Sequence, residues 1–239
     1  MKELEDYSWF PPILRQFQTE FIGFVVTKFH LYDVFIRHLK TLSRTSSSMT
    51  DLCSGSGEPA ISIFRKSDCF SRLSLSDKFP IDLKINDDRI TYKMQSADVL
   101  EMEFKRGTCY TMFNAFHHFE DEEKLHIVQK IRLSGSDAFI VEILEPNFIC
   151  FIKVLFTGTI GNLMLTPFIL PFSFIRLFLT YIVPVNLLTI TMDGLVSVLK
   201  SRSMSQYQKL FAHYEQSVKI YRLRNKLNSL LIIQIDQMK

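Results

Sequence analysis

Two glycines, Gly55 and Gly57, stand two residues apart in the stretch DLCSGSGEPA, directly after a short apolar run at residues 49–53. The chain has only 8 glycines, so this pair marks a place where a side chain would obstruct the backbone or a ligand. After them, Pro59 suits the first turn of a helix, and Glu58 suits the positive end of its dipole. The stretch therefore predicts a strand, a glycine turn and a helix.

The alternation of strand and helix continues along the chain. We predict further strands at residues 71–77, 90–98, 108–116 and 137–145, and helices at 13–42 and 120–132. Two closing segments, 217–225 and 227–236, predict an antiparallel hairpin connected through residues 225–228. The expected fold class is therefore α/β, a Rossmann-like doubly wound seven-stranded sheet of five parallel strands plus a C-terminal antiparallel hairpin.

An apolar segment at residues 148–194 precedes the hairpin. Residues 154–175 carry no charge and could cross a bilayer by length, but Gly158, Gly161, Pro167 and Pro171 interrupt them. One interpretation is insertion into a membrane. The other is a helical insertion folded over the sheet, with an apolar inner wall and a membrane-facing outer one. The interruptions favour the second interpretation.

These segments predict four parts of the chain. They are an N-terminal helical cap at 1–48, a cofactor-binding Rossmann-like core at 49–147, an apolar helical insertion or lid at 148–200, and a C-terminal helix and hairpin at 201–239.

Composition limits the classes of function. The 239 residues can bury a full core, and the four cysteines have neither CxxC spacing nor histidines at metal-ligand spacing, so we expect no disulfide framework and no metal. The formal net charge of +3 is too small to indicate nucleic-acid binding. The acidic start MKELEDYSWF does not resemble a signal peptide. We expect a cytoplasmic protein and leave open a peripheral membrane contact through residues 148–192.

Ligands of open parallel sheets bind beyond the carboxyl ends of the strands, so the residues after each predicted strand form the candidate site. These residues are Gly55, Gly57, Asp77, Asp98, Asn114, His117, His118, Glu142 and Glu145. The stretch GSGEPA fits the pattern G-x-G-x-x-A, and Asp77 follows Gly57 by 20 residues, where a carboxylate can accept hydrogen bonds from both ribose hydroxyls.

This fingerprint fits a nicotinamide dinucleotide as well as S-adenosylmethionine. Three features favour S-adenosylmethionine: Asp98 as an acceptor for an adenine amine, the terminal hairpin, and a chain too short for a separate hydride-acceptor domain.

Five successive stretches, MTDLCSGSGEP, LSDKFP, SADVLEMEF, TMFNAFHHF and FIVEILEP, resemble in order and spacing the motifs of class I S-adenosylmethionine-dependent methyltransferases. The opening WFPPILRQFQTEF and the later DGLVSVLKSRS are similar to a subgroup of these enzymes that acts on small molecules. The resemblance covers nearly the whole chain and is most specific over residues 51–118. It implies an enzyme that uses S-adenosylmethionine and a small-molecule substrate.

The resemblance also implies roles for individual residues. The turn at Asp51, Cys53, Gly55 and Gly57 would hold the methionine moiety, Asp77 the ribose hydroxyls, Asp98 and Val99 the adenine, and Asn114 the floor near the sulfonium. One position departs from the pattern. The commonest form of the motif has three glycines at alternate positions, and Cys53 replaces the first, which puts cofactor affinity in doubt.

Methyl transfer needs in-line alignment, and a base where the nucleophile is a hydroxyl or an ammonium group. Imidazole titrates near neutral pH, so His117 and His118 are the candidate catalytic residues. Adjacent side chains point in different directions, so at most one faces the substrate, and packing or capping is the alternative for either. Glu142 and Glu145 either face the site or are solvated.

Three further residues are candidate substrate contacts. Trp9 and Phe10 precede two prolines and would close over the cofactor, with simple packing as the alternative. Asp193 is an isolated acid after a long apolar run, and capping of the next helix is the alternative to substrate contact.

The expected function is methyl transfer from S-adenosylmethionine to a small apolar molecule such as a lipid, quinone, polyene or aromatic metabolite. Two alternatives stay open. One is a non-catalytic cofactor-binding protein, such as a membrane-associated scaffold or regulator, and the other is a nicotinamide-dependent reductase. The acceptor atom, O, N or C, is also open.

Overall fold

A computed structural model describes residues 2–42, 46–224 and 228–236 of the chain. The chain divides into two compact units. The α/β unit comprises Val26–Ile143 and Ser203–Lys239, and the helical unit comprises Met1–Val25 and Leu144–Arg202.

The described elements follow in chain order. They are α1 (Pro12–Lys28), α2 (Asp33–Thr41), β1 (Ser48–Leu52), α3 (Ala60–Ser67), β2 (Arg72–Ser76), β3 (Ile90–Tyr92), β4 (Thr108–Phe113), α4 (Asp121–Leu133), β5 (Asp137–Glu142), α5 (Phe148–Phe156), α6 (Asn162–Leu165), α7 (Phe174–Tyr181), α8 (Val185–Lys200), α9 (Met204–Leu210), β6 (Val218–Arg224) and β7 (Ser229–Ile235). Short 3-10 turns lie at Leu4–Asp6, Phe116–His118, Thr166–Phe168 and Ala212–Tyr214, and a π-helical segment lies at Thr157–Gly161.

The sheet of the α/β unit has the strand order β3-β2-β1-β4-β5-β7-β6. The first five strands pair in parallel, and β7 pairs antiparallel with both β5 and β6. This topology confirms the predicted fold class. It also brings the carboxyl ends of β2, β1, β4 and β5 to one edge as neighbours, which is where the candidate site was expected.

Helices cover both faces of this sheet because successive strand residues alternate in direction. Phe113 of β4 packs into a buried cluster with Phe35 of α2, on the face that α3 also covers. Its neighbour Met112 packs into a second cluster with Ile127 of α4 and Tyr207 of α9. The burial of each large apolar side chain contributes about 1.5–3 kcal/mol, so the two cores together stabilise the doubly wound arrangement.

Most predicted elements of the sheet lie within two or three residues of the observed ones, with one exception. The third strand, expected at 90–98, is only Ile90–Tyr92, because β3 is an edge strand that pairs with three residues of β2. The fourth strand ends at Phe113 because Asn114 takes a left-handed conformation with a φ of 50°. Of the predicted hairpin connection, residues 225–227 lie outside the described residues.

The helical unit has an unusual distribution of polarity. Its buried side chains include Asn162, Arg176, Thr180 and Asn186, whereas many of the phenylalanines, leucines and isoleucines of residues 148–199 are exposed. The inner wall that was expected to be apolar is therefore mixed, because these polar side chains lie beside a smaller apolar cluster of Phe21, Ile169 and Ile190. The polar side chains bond one another, as where Asn186 Nδ2 donates to Thr180 Oγ1 at 3.0 Å, and so they can be buried without losing their hydrogen bonds.

Candidate functional site

The glycine turn begins directly after β1. The backbone takes positive φ angles at Cys53 (56°), Gly55 (49°) and Gly57 (83°) before α3 starts. A Cβ at Gly57 would lie 2.7 Å from Cδ1 of Ile61 and 3.2 Å from Cδ1 of Leu75. Protein atoms therefore occupy the space beside Gly57, and close packing of α3 on the sheet requires glycine there.

Cys53 occupies a conformation that other L-residues rarely adopt. A left-handed φ brings Cβ close to the following carbonyl oxygen, at a cost of about 1–2 kcal/mol, which glycine does not incur. The departure from the three-glycine pattern thus falls on a position where the backbone of this turn is strained. Its half-buried side chain packs against the core that contains Met112.

Asp77 follows β2 and faces the glycine turn. Its Oδ2 accepts a hydrogen bond from Gly55 N at 2.8 Å, and its Oδ1 accepts one from Phe79 N at 2.8 Å. A carboxylate oxygen can accept two hydrogen bonds, so these two backbone donors do not exhaust its acceptor capacity. The side chain is half-buried, and the donor set fits the predicted role of holding a pair of hydroxyls.

Tyr92, at the end of β3, supports the same turn. Its hydroxyl donates to Gly55 O at 2.9 Å. Burial, and after it the negative charge of Asp77, raise the pKa of Tyr92, so the phenol stays protonated and continues to donate. Neither Tyr92 nor its bond to the glycine turn was predicted from the sequence.

Asp98 lies six residues beyond the end of β3 and is held by Lys78. Lys78 Nζ is 2.7 Å from Oδ2, and Leu100 N donates to Oδ1 at 3.0 Å. Desolvation by itself raises the pKa of Asp98, but the hydrogen bonds from Lys78 and Leu100 outweigh it, and the pKa is lowered. The carboxylate is therefore ionised and able to accept from an amine. Val99 beside it is buried in the core.

Asp51 is a buried acid within β1. Its Oδ1 accepts from Thr111 Oγ1, on the adjacent strand β4, at 2.7 Å. Burial is the main cause that raises the pKa of Asp51 to about 7; the hydrogen bonds from Thr111 and Ser54 oppose this shift, and the charge of Asp77 adds to it. A positive group beside Asp51 would favour its ionised form.

His117 and Glu142 form a buried pair at the ends of β4 and β5. Glu142 Oε2 is 2.8 Å from His117 Nδ1, and Glu142 Oε1 accepts from Phe116 N at 2.7 Å. Both side chains are 1% exposed. When Nδ1 carries the proton and donates to the carboxylate, Nε2 is the ring nitrogen that can accept another proton.

His118 and Asn114 complete this part of the edge. The ring of His118 is half-buried, with its centroid 4.6 Å from that of His117. Asn114 has a φ of 50°, its N donates to Val141 O at 2.8 Å, and its Oδ1 accepts from Ile143 N at 3.3 Å. Asparagine tolerates this conformation better than most residues, so Asn114 fixes the turn that follows β4.

The three candidate substrate contacts belong to the helical unit. Trp9 is exposed and stacks on Tyr7 at 5.5 Å, whereas Phe10 is buried under the guanidinium of Arg15. Asp193 lies in the middle of α8, so the expectation that it caps the next helix is wrong.

Asp193 has a different capping role. Its carboxylate accepts hydrogen bonds from Leu4 N at 2.7 Å and Glu5 N at 3.2 Å, and from Gln18 Nε2 at 3.0 Å. Backbone N–H groups at the start of a helical turn lack partners within the turn, so Asp193 caps the 3-10 turn Leu4–Asp6. The substrate contacts proposed for Trp9, Phe10 and Asp193 stay predictions.

Sequence reasoning missed several members of the site. The sequence left open whether Glu142 faces the site or is solvated. Its position at the end of β5, the strand next to β4, is the signal that could have placed it beside His117. No feature of the sequence pointed to Tyr32. Its buried hydroxyl has no hydrogen-bond partner among the described residues, and burial followed by the charges of Glu142 and Asp51 raises its pKa.

No family model and no curated protein sequence matches the chain. Solved structures do resemble it. An O-methyltransferase family 2 protein from Planctomyces limnophilus, solved in complex with apigenin, is 14% identical with a TM-score of 0.51, over 94% of this chain and 62% of that one. Human N-acetylserotonin methyltransferase, solved in complex with S-adenosylmethionine, is 14% identical with a TM-score of 0.49, over 87% of this chain and 53% of that one.

The mitomycin 7-O-methyltransferase structure is similar at 13% identity and a TM-score of 0.49, over 86% of this chain and 53% of that one. The chain thus spans between 53% and 62% of the length of these three proteins. The likeness to the Planctomyces limnophilus protein shows that the chain has the fold of O-methyltransferases.

Proposed function

We propose that this chain, which has a methyltransferase fold, is an S-adenosylmethionine-dependent methyltransferase that acts on a small apolar molecule. One observation carries the proposal. The glycine turn with Asp77 and the His117–Glu142 pair follow neighbouring parallel strands and lie at the same edge of the sheet. One half can hold a nucleoside and the other can accept a proton.

The residues of the first half fit the cofactor by their chemistry. Asp77 retains acceptor capacity for ribose hydroxyls, Asp98 is an ionised acceptor for an adenine amine, and Asp51 is an acid whose charge a methionine ammonium would stabilise. Bound there, S-adenosylmethionine supplies an electrophilic methyl group. Asn114 and the turn after β4 would form the floor of the site.

The second half supplies the base. His117 Nε2 takes the proton of an acceptor hydroxyl as the new bond to the methyl carbon forms, or that of an acceptor ammonium before the bond forms, since the nitrogen needs its lone pair to attack. Glu142 orients the ring through Nδ1 and stabilises the imidazolium, while Phe116 N holds the carboxylate in place. Burial of the pair excludes water, which strengthens both interactions. His118 is the alternative base.

The apolar nature of the acceptor is supported by the exposed apolar side chains of residues 148–199. A protein with such a surface partitions towards lipid, where lipids, quinones and polyenes concentrate. We accordingly propose that the protein works at a membrane and that its acceptor is drawn from these molecules or from aromatic metabolites.

Isothermal titration with S-adenosylmethionine tests the cofactor half. We expect binding by the wild type and a loss of about 10- to 100-fold in affinity for Asp77→Asn, since a hydrogen bond to a charged group contributes about 1.5–3 kcal/mol. Asp88→Asn, an exposed acid in the loop after β2, is the matched control and should leave the affinity unchanged. No heat with the wild type, or binding of a reduced nicotinamide dinucleotide instead, would refute the proposal.

Turnover over a panel of apolar acceptors tests the catalytic half. We expect His117→Gln to lower kcat by about 10²- to 10⁴-fold with cofactor affinity retained, the usual contribution of a general base. A larger effect of His118→Gln would move the base to that residue. Normal cofactor binding with no turnover by the wild type on any acceptor would instead favour the non-catalytic cofactor-binding alternative.

A further inference from the structure

Along residues 148–199 the exterior of the helical unit is apolar, and many of its buried side chains are polar. Phe148, Phe168, Leu170, Phe174 and Ile182 are each between 67% and 80% exposed. The same segment buries Asn162, Thr166, Arg176, Thr180 and Asn186 to 1% exposure or less. A water-soluble protein gains stability by burying apolar side chains and exposing polar ones. Contact of this apolar exterior with water would therefore be unfavourable.

The first helical arm has the length of a bilayer's hydrocarbon core. Phe148–Phe168 is helical over all 21 residues, through α5, the π-helical segment, α6 and a 3-10 turn, and only 11% of its most apolar stretch is buried. At 1.5 Å per residue it is about 30 Å long, which matches the hydrocarbon thickness. A core helix of a soluble protein would be mostly buried, and this one is not.

A second arm returns along the first. It consists of α7 and α8, which meet at a bend of 76°. A Cβ on Gly158 would lie 3.0 Å from Cα of Thr191, and a Cβ on Gly194 would lie 2.8 Å from Cγ1 of Val154. The two glycines therefore let α8 approach the first arm closely and antiparallel to it, in the way that small residues mediate helix contacts in lipid.

Charge is almost absent from the exterior of this segment. Residues 148–199 carry only Lys153, Arg176 and Asp193 as charged residues. Arg176 is buried, with its guanidinium paired with Glu20 and donating to Ile169 O at 2.6 Å and Pro171 O at 2.7 Å. Asp193 accepts its three hydrogen bonds inside the unit. Lys153 lies about 7.5 Å along the first arm, within reach of a headgroup region.

We propose that residues 148–199 form a helical hairpin inserted into the hydrocarbon of a lipid bilayer. An uncharged apolar exterior is complementary to acyl chains, whereas a protein partner would be expected to meet a polar rim. The two arms run antiparallel, so the hairpin enters and leaves on the same side of the membrane. The inference concerns membrane insertion and holds independently of methyl transfer.

The single tryptophan of the chain allows a direct test. In a Trp9→Phe background, Ile160→Trp places the only tryptophan about 18 Å along the first arm, near the bilayer centre. The full chain is synthesised in the presence of phosphatidylcholine vesicles, with and without bromine near the ends of the acyl chains. We expect flotation with the vesicles in alkaline carbonate, and loss of most of the tryptophan emission to the bromines.

The matched control is Trp9→Phe with Leu133→Trp, because Leu133 is 69% exposed at the end of α4 in the α/β unit. Its emission should be the same with and without bromine. Phe178→Trp in α7 is a second probe for the case in which the Ile160 variant does not fold by circular dichroism. Its emission should also be quenched.

Three outcomes would overturn the proposal. They are release of the chain from vesicles by carbonate, equal emission of the Ile160 and Phe178 probes with and without bromine, and a lipid-free dimer in which a second copy covers the apolar exterior. A chain that floats and is quenched but does not bind S-adenosylmethionine would refute the methyltransferase proposal and leave the membrane hairpin intact.

Discussion

The acid Asp51 illustrates how one residue combines fold and site. It lies in the middle of a parallel sheet, 2% exposed, where an ionised carboxylate is poorly solvated. Burial raises its pKa to about 7 from an ordinary value of 3.8, despite the hydrogen bonds from Thr111 and Ser54. The folded chain therefore binds this proton more tightly than the unfolded chain.

Stability should consequently depend on pH through Asp51. Its contribution to the free energy of unfolding is fully present below about pH 4 and is lost as the pH rises to about 7, because the raised pKa belongs to the folded state. We expect the stability of Asp51→Asn relative to the wild type to be about 2–3 kcal/mol greater at pH 8 than at pH 5, because only the wild type loses proton-linked stability between these two values.

Urea denaturation of both proteins at the two pH values, in a constant detergent, measures this difference. Asp88→Asn, an exposed acid of the same unit, should show no such change with pH. An Asp51→Asn variant that is equally destabilised at both values would contradict the predicted ionisation.

At the scale of elements, the turn between β1 and α3 positions the candidate site. It takes three positive φ angles within five residues, and the Ser54 N–H bonds Ser76 O at 3.0 Å, which fixes the turn to β2. Gly57 is the position where both backbone conformation and packing exclude a side chain. The conformation of this turn should therefore depend on Gly57 more than on other glycines.

Gly107 provides a matched comparison for Gly57. Both have a positive φ, 83° and 78°, but a Cβ at Gly107 would meet no atom within 4 Å. We expect Gly107→Ala to cost about 1–2 kcal/mol, for the conformation alone, and Gly57→Ala to cost about 1–3 kcal/mol more, for the overpacking against Ile61. Urea denaturation measures both, and equal costs would show that Ile61 moves aside.

The two units of the whole molecule differ in what they bury. The α/β unit buries an apolar core on each face of its sheet. The helical unit buries a smaller apolar cluster together with the ion pair of Arg176 with Glu20 and a set of amides and hydroxyls. A buried ion pair is costly to form but costlier to break, because the remaining charge is left without a partner. The stability of the helical unit should therefore depend on Arg176 and Glu20 jointly.

A double-mutant cycle tests this dependence. We expect Arg176→Met and Glu20→Met each to destabilise the protein in detergent, and the double variant to be less destabilised than the sum by about 1–3 kcal/mol. The control cycle combines Glu20→Met with Lys200→Met, because Lys200 pairs with Glu3 and Asp6 instead. Additive effects in the first cycle would show that the pair is not coupled.

The amino-acid sequence determined the fold class and predicted that the candidate site residues lie at one edge of the sheet. Strand alternation, the glycine pair and acids spaced after the strands are local features, and the carboxyl ends of parallel strands meet at one edge whatever the details of packing. For that reason Gly55 and Asp77, predicted as parts of one site, lie together. The end of β3 was misjudged because an edge strand continues only as far as its neighbour pairs with it.

Tertiary structure alone decided the partners of the buried polar groups. Three of these contacts join residues far apart in the chain. They are Glu142 with His117, Asp193 with the turn at Leu4, and Arg176 with Glu20. It decided the inverted polarity of residues 148–199 for the same reason. Hydropathy records how apolar a segment is, but which of its faces is buried depends on where the other helices pack.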